Sequence, residues 1–353
     1  MALWELDEFT SPQFLGYTRA IPDPPPFLGT QFLPDETTFD IEVSYIKGAN
    51  NQPVMAHIIT WDAEAPIGSK PPLGDKISFE LPPIKRKERL SEKELVRFLQ
   101  PRVGTDDERR AIDSVYAVTD RLVAGVKARV EWLRMQALSE DTISYNESGV
   151  EIAFDFGYNA ALQLDVSVDA NLSTYWTDHA LSDPIADLQY IKTLYRTETG
   201  GFEFERLVLS ADRISDLLMN DNIRTLVRGT GAPTQQLAVD ELAGVFARYG
   251  LPILIPYDAK VYSESDAKVV STLSPLDPAK SIGLPSFQVG STLWGPTAES
   301  RALFGTPLAS EAPGLIVQTY AKDDPPAEWV KAVATAFPSV PEADRVVQLT
   351  LTA

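Results

Sequence analysis

The chain has 353 residues, with 31 Lys and Arg against 50 Asp and Glu for a net charge of −19, and it contains 27 prolines, two histidines and no cysteine. Its 44% hydrophobic content and its length suit a globular protein of about two domains and exclude a disordered chain. Without cysteine there is no disulfide framework, thiolate catalysis or iron–sulfur cluster.

The acidity argues against a dedicated nucleic-acid binder, whose affinity rests on Lys and Arg neutralising phosphate. No run approaches the ~20 apolar residues of a membrane span, and the N-terminus lacks the basic lead of a signal peptide. A soluble, intracellular protein without a membrane partner is expected.

The charge is uneven. Residues 1–84 hold 4 basic and 12 acidic side chains, residues 85–138 hold 13 and 9, and residues 139–353 hold 14 and 29. The basic middle is densest at Lys85-Arg86-Lys87-Glu88-Arg89. It reads either as a solvated loop or strand end, or as a contact with acidic surface on another copy. Nucleic acid is the weaker reading because no aromatic residues interleave the patch in sequence.

In chain order, the first 35 residues carry Pro12, Pro22, Pro24, Pro25, Pro26 and Pro34, which predicts an extended, non-helical arm. Its aromatic and aliphatic residues, Phe27, Leu28, Phe32 and Leu33 among them, predict burial against another subunit. Removal of the arm through Leu33 is then expected to leave a soluble subunit. Alternation over Phe39–Tyr45 predicts a strand, and Val54–Trp61 and Ile77–Leu81 predict two more. The Pro/Gly-rich connection between the last two makes a long projecting hairpin.

Asp106–Leu138 contains one glycine and no proline, and Ile112, Val115, Thr119, Leu122, Val126, Val130 and Leu133 form a narrow apolar stripe. This predicts a helix roughly 50 Å long lying across a sheet, capped by Thr105. Strands are predicted over 142–145, 150–156 and 162–168. A helix follows over Asp183–Glu198, with Asp183 as cap and Pro184 at its first position.

Beyond this the pattern is α/β. It has a strand over Phe204–Leu209, a helix from the Ser210 cap to Met219 and a short helix over Asn222–Arg228. A helix from Thr234 to the Gly250 stop and a strand over Leu251–Tyr257 come next. Residues 275–296 read as loop-rich, and strands over Gly314–Tyr320 and Val346–Leu351 end the chain.

Catalytic signals are weak. His57 sits in a predicted strand and reads as a core or interface residue. His179 follows Asp178, but no nucleophile accompanies the pair. Two distant histidines do not supply local metal-ligand spacing. Gly229-Thr230-Gly231-Ala232 follows a helix and lacks a Gly-Lys-Ser/Thr ending, so it reads as a helix-ending turn. Asp106-Asp107 and Asp323-Asp324 read as a helix N-terminus and an exposed loop. No enzyme activity, cofactor or metal is expected.

The order of arm, hairpin, basic stretch, long helix, strands, α/β region and final strand resembles the major capsid proteins of tailed double-stranded-DNA phages. More narrowly it is similar to the lambda-type E capsid family. The resemblance rests on Phe27-Leu28-Gly29-Thr30-Gln31-Phe32-Leu33-Pro34, Trp61-Asp62-Ala63-Glu64-Ala65-Pro66-Ile67-Gly68 and Pro83-Ile84-Lys85-Arg86-Lys87-Glu88-Arg89-Leu90. It also rests on Val150–Gly157, Gly295–Glu299 and Asp344–Leu351.

The resemblance implies an α+β capsid fold with an N-terminal arm over 1–38, an extended loop over 39–84 and a peripheral domain over 85–202 whose spine helix is 106–138. An axial domain over 203–335 and a returning C-terminal strand over 336–353 complete it. It further implies a structural head protein forming pentamers and hexamers of an icosahedral shell around phage DNA.

The partners so implied are other copies, scaffolding and portal proteins and a decoration protein. Assembly would occur in the host cytoplasm, and the product would be the virion capsid. Phe27, Leu28, Phe32, Leu33, Trp61, Pro66, Gly68, Lys85, Arg86, Lys87 and Arg89 are the expected inter-subunit contacts. The alternatives are an encapsulin-type compartment shell, a carboxylate-dependent cytosolic enzyme and a tail or baseplate module.

Overall fold

The computed structural model describes residues 12–47, 76–90, 106–147, 150–229, 235–264, 270–303, 313–323 and 326–352, with a few positions between 55 and 64. The expected Thr105 cap, the strand start at Val54, His57, Pro66, Gly68 and Thr234 lie outside them.

The arm is not the helix-free segment its prolines predict. It holds helix α1 (Pro12–Ala20) and a single turn α2 (Gly29–Phe32), followed by strand β1 (Asp35–Thr37). Pro12 opens α1, where the missing N–H costs nothing, and the proline cluster falls between the two helices. Strands β2 (Glu42–Ile46) and β3 (Lys76–Glu80) pair antiparallel, so the strand near Ile77 pairs with the one expected over Phe39–Tyr45 and not with Val54–Trp61, whose described positions are not strand.

Strand β4 (Pro83–Leu90) carries the whole basic stretch, and the spine helix α3 runs Asp106–Ser139. A second ribbon, β5 (Thr142–Glu147) with β6 (Val150–Asp155), packs beside its end. Thr119, Leu122, Val126, Val130 and Leu133 are buried as the stripe predicts. Beyond Val130 the burial widens to Glu131, Arg134, Met135, Ala137 and Leu138, because the arm covers a second face of the helix.

The rest of the chain alternates between two sheets. Strand β7 (Gln163–Asp165), helix α4 (Pro184–Thr199), strand β8 (Phe204–Leu209) and helices α5 (Ala211–Met219), α6 (Asp221–Arg228) and α7 (Val239–Tyr249) precede β9 (Ile253–Pro256). A small ribbon of β10 (Val261–Glu264) and β11 (Val270–Leu273) follows. Then come β12 (Lys280–Pro285), β13 (Ser291–Gly295), β14 (Ile316–Asp323), β15 (Pro326–Ser339) and β16 (Val347–Thr350).

One five-stranded sheet has the order β7-β16-β12-β8-β9 and shares a core with α4, α5, α6 and α7 through Trp176, Leu188, Ile191, Tyr195, Leu217 and Phe246. The expected division between 202 and 203 falls inside this core, since Leu164 and Tyr195 pack with Leu207 and Leu209. Asp183 caps α4 by accepting from Ala186 N, and Gly250 ends α7 in the left-handed region. That helix starts at Val239 rather than at Thr234.

The other sheet is built on β15, which pairs with β4 along one side and with β14 and then β13 along the other; β1 adds to β13. Two expectations fail here. Residues 275–296, expected as loop-rich, supply β12 and β13. Gly290 serves close approach between β13 and β15, since a Cβ on it would lie 2.0 Å from Ser339 O. Residues 326–339 form the longest strand among the described residues, and they belong with the spine helix rather than with the axial sheet. Its alternating Val330, Ala332, Ala334 and Ala336 are small because Leu122, Val123, Val126 and Val130 of the helix lie directly on them.

Candidate functional site: the arm anchor and the exposed surfaces

Four arm residues were expected to bury themselves against another subunit. The structure corrects this for two of them: Phe32 and Leu33 are 2% and 0% exposed within their own chain, while Phe27 and Leu28 are partly buried against the same core. Burying Phe32 and Leu33 contributes about 2 kcal/mol each, and that apolar surface is already satisfied. Deletion through Leu33 therefore removes part of the core instead of freeing a subunit.

What holds the arm is a buried polar knot. Glu131, fully buried on the spine helix, accepts on one carboxylate oxygen from Leu28 N at 3.0 Å, Gly29 N at 3.0 Å and the Tyr257 hydroxyl at 2.9 Å. Its second oxygen has no hydrogen-bond partner and lies 3.6 Å from the Arg134 guanidinium. Burial raises the Glu131 pKa, opposed by those three donors and by the Arg134 charge.

Arg134 donates to Thr292 Oγ1 at 2.8 Å and Thr30 Oγ1 at 2.9 Å, and pairs with Asp35. Trp294 Nε1 donates to the same Asp35 at 2.7 Å. The helix, the arm and the start of the loop after β9 thus meet at one charged pair. Gly29 permits the meeting, because a Cβ there would stand 2.3 Å from Glu131 Oε2 and 2.7 Å from Arg134 Cδ.

Further along, Lys127 pairs with Asp23 at 2.8 Å and Tyr17 donates to Asp120 at 2.7 Å, so the arm is pinned along the helix from Tyr17 to Asp35. The Phe27–Pro34 phrase spells this anchor; the sequence could not reveal Glu131, Arg134 or Tyr257 as its partners.

The basic stretch is partly neutralised at home. Lys85 and Lys331 share Glu299 at 3.2 and 2.8 Å, and Arg86 approaches Glu264 at 3.7 Å. Lys87 and Arg89 instead lie over the Trp329 ring, 4.8 and 5.9 Å from its centre. The described part of the hairpin loop is different: Met55, Ile58 and Trp61 are almost wholly exposed, Trp61 at 98%. Trp61 is thus the one expected contact residue in this loop that the structure describes, and it has the exposure such a role needs.

His179 Nε2 meets Asp216 at 3.0 Å rather than Asp178, whose carboxylate accepts from Ala180 and Leu181 N–H. Gly229 sits just past α6 with φ 77°, as a helix-ending turn should. Among the described residues no group of three His, Cys, Asp or Glu is placed to hold a metal, and no helix is long and apolar enough to cross a membrane.

Solved structures of the same fold exist. A prophage protein of E. coli CFT073, described as a capsid protein, is 15% identical over 96% of this chain and 98% of its own, with a TM-score of 0.62. A phage-related protein of Bordetella bronchiseptica RB50 is 14% identical over 96% of each chain, with a TM-score of 0.55. No curated protein matches the chain in sequence. Arm, spine helix, hairpin loop and axial sheet together define the tailed-phage major capsid fold. Residues 10–351 match the model for phage major capsid protein E, and the chain belongs to that family: it is a structural protein of the phage head shell. Its place is the virion capsid.

Proposed function

We propose that this protein forms the pentamers and hexamers of an icosahedral shell around double-stranded phage DNA. The carrying observation is the loop between β2 and β3, which holds Met55, Ile58 and Trp61 fully in solvent. A free subunit gains nothing from such a loop, and exposed apolar groups of this size mark an interface. Repetition of the contact from copy to copy closes a shell.

In this reading Trp61, with Pro66 and Gly68 in the same loop, seats on a neighbouring subunit, while Lys85, Arg86, Lys87 and Arg89 face acidic surface. The peripheral unit is the spine helix with the β15 sheet, and the axial unit is the β12 sheet with its helices. Scaffolding, portal and decoration proteins join the shell during assembly in the host cytoplasm, and the chain itself performs no catalysis. The large negative charge suits a wall that must not grip the duplex it encloses.

Electron microscopy of the purified protein, alone and with a co-expressed scaffold, tests this. Closed icosahedral particles containing DNA after packaging are expected. Small discrete oligomers under every condition would overturn the reading, and shells filled with protein cargo in place of DNA would indicate a compartment instead.

A further inference from the structure

The basic stretch lacks aromatic neighbours in sequence but acquires them in the sheet. Arg89 lies opposite Trp329, and Trp329 opposite Tyr320; one row on, Lys87 lies opposite Lys331, and Lys331 opposite Gln318. Side chains alternate across a sheet, so these stand on the face away from the spine helix, which packs on Val330, Ala332 and Ala334. At Phe337 that outer face is covered by Phe79 and Phe154. Toward Trp329 no described residue covers it in this way, and Lys87, Arg89 and Tyr320 are exposed.

Glu299 serves Lys85 and Lys331, whereas Lys87 and Arg89 have no carboxylate partner among the described residues. The Trp329 ring is flanked by those cations on β4 and by the Tyr320 ring on β14, stacked at 6.3 Å and 7°. With both sides of the ring occupied, the strip offers ring edges and two positive charges rather than a platform for stacking nucleobases. On one side of β4, the cations repeat every second residue, roughly 7 Å apart, which is the spacing of alternate side chains in an extended peptide. Across β15 from them, β14 is an edge strand among the described residues, able to accept main-chain hydrogen bonds from an added strand.

We propose that this strip on one subunit binds the acidic N-terminal segment, residues 1–11, of a second copy; the proposal rests on the shell reading above. Arm residues Phe32 and Leu33 are buried in their own chain, with Phe27 and Leu28 partly so, which leaves the acidic segment before Pro12 as the arm's candidate for contact between copies. That segment holds Glu5, Asp7 and Glu8, no Lys or Arg, and the apolar Trp4, Leu6 and Phe9. Its charge complements Lys87 and Arg89, its apolar residues suit the edges of Trp329 and Tyr320, and extended it spans roughly 36 Å. In a shell of chains each carrying −19, such a seam offsets repulsion between copies.

The test is a fluorescein-labelled peptide of residues 1–11 titrated with full-length protein kept dilute enough to sediment as a monomer, read by anisotropy. Binding is expected, weakened about tenfold by 0.5 M salt and at least tenfold by Lys87→Glu with Arg89→Glu, with circular dichroism unchanged. The Lys87→Gln, Arg89→Gln pair should weaken it less. A peptide carrying Glu5→Lys, Asp7→Lys and Glu8→Lys should bind the doubly reversed protein.

Equal binding by wild type and reversed protein overturns the proposal. So does refusal of the peptide by the full-length monomer, which means no site or one filled by its own chain, and so does displacement by a single-stranded oligonucleotide. Microscopy separates the two readings: peptide binding without shells retains the strip and discards the shell, and shells without peptide binding do the reverse.

Discussion

Gly29→Ala is the sharpest probe of the arm anchor. The added methyl would stand 2.3 Å from Glu131 Oε2 and 2.7 Å from Arg134 Cδ, distances that no packed pair of heavy atoms sustains. Two escapes exist. If Glu131 withdraws, a buried carboxylate gives up donors among Leu28 N, Gly29 N and the Tyr257 hydroxyl. If the arm turn withdraws, the two backbone bonds are lost and Phe32 and Leu33 loosen from the core.

Hydrogen bonds to a charged group are worth about 1.5–3 kcal/mol each, so losing two of them by either route costs roughly 3–6 kcal/mol. Urea unfolding followed by tryptophan fluorescence measures it, with the midpoint falling at unchanged slope. Cleavage by trypsin after Arg19 should accelerate, because the Arg19 guanidinium is held by the Pro313 carbonyl at 2.9 Å only while the arm is docked. Gly16→Ala is the control: nothing lies within 4 Å of its Cβ position, and a helical alanine should be neutral or stabilising by up to ~1 kcal/mol. A Gly29→Ala protein within about 0.5 kcal/mol of wild type refutes the anchor as described.

Three more outcomes are expected. Burial raises the Glu131 pKa, so the folded chain holds this proton more tightly than the unfolded chain. The stability of wild type minus that of Glu131→Gln should then decrease as pH rises above the unfolded carboxylate value of ~4.3; an increase contradicts it. Ala334→Leu overfills the seam between β15 and the spine helix, where Val126 and Val130 pack, and should cost at least about 1–3 kcal/mol in urea unfolding. Removing residues 1–11 should leave the thermal midpoint unchanged while impairing assembly, whereas removal through Leu33 should lower the midpoint sharply or abolish cooperative unfolding. Equal midpoints for the two truncations would refute the burial of Phe32 and Leu33.

The long helix and the terminal strand are legible in the sequence because local rules decide them, whereas the partner of the strand near Ile77 is not, because pairing is a long-range choice. The stripe from Thr119 to Leu133 needs only period 3.6, and the Asp183–Pro184 start and Gly250 stop are capping chemistry. The β15 strand is illegible because its inward residues are Ala332, Ala334 and Ala336, whose strand preference is poor. They are small only because a helix lies on them, a fact that resides elsewhere in the chain. Gly290 fails for the same reason: glycine reads as a loop until the partner backbone is known.

By itself, then, the sequence determined the class of protein, the excluded chemistries and the family to which its phrases point, since composition and local pattern are properties of the chain alone. Only the tertiary structure decided which way the arm faces. Glu131 and Arg134 lie about a hundred residues from Gly29 and Thr30, and Trp329 some 240 from Lys87 and Arg89. No local pattern foretells such meetings, because they are made when distant segments share one core and one sheet. The arm that reads as reaching for a neighbour is held to its own helix by a buried carboxylate, and the basic run that reads as bare gains its aromatic partners from strands at the far end of the chain.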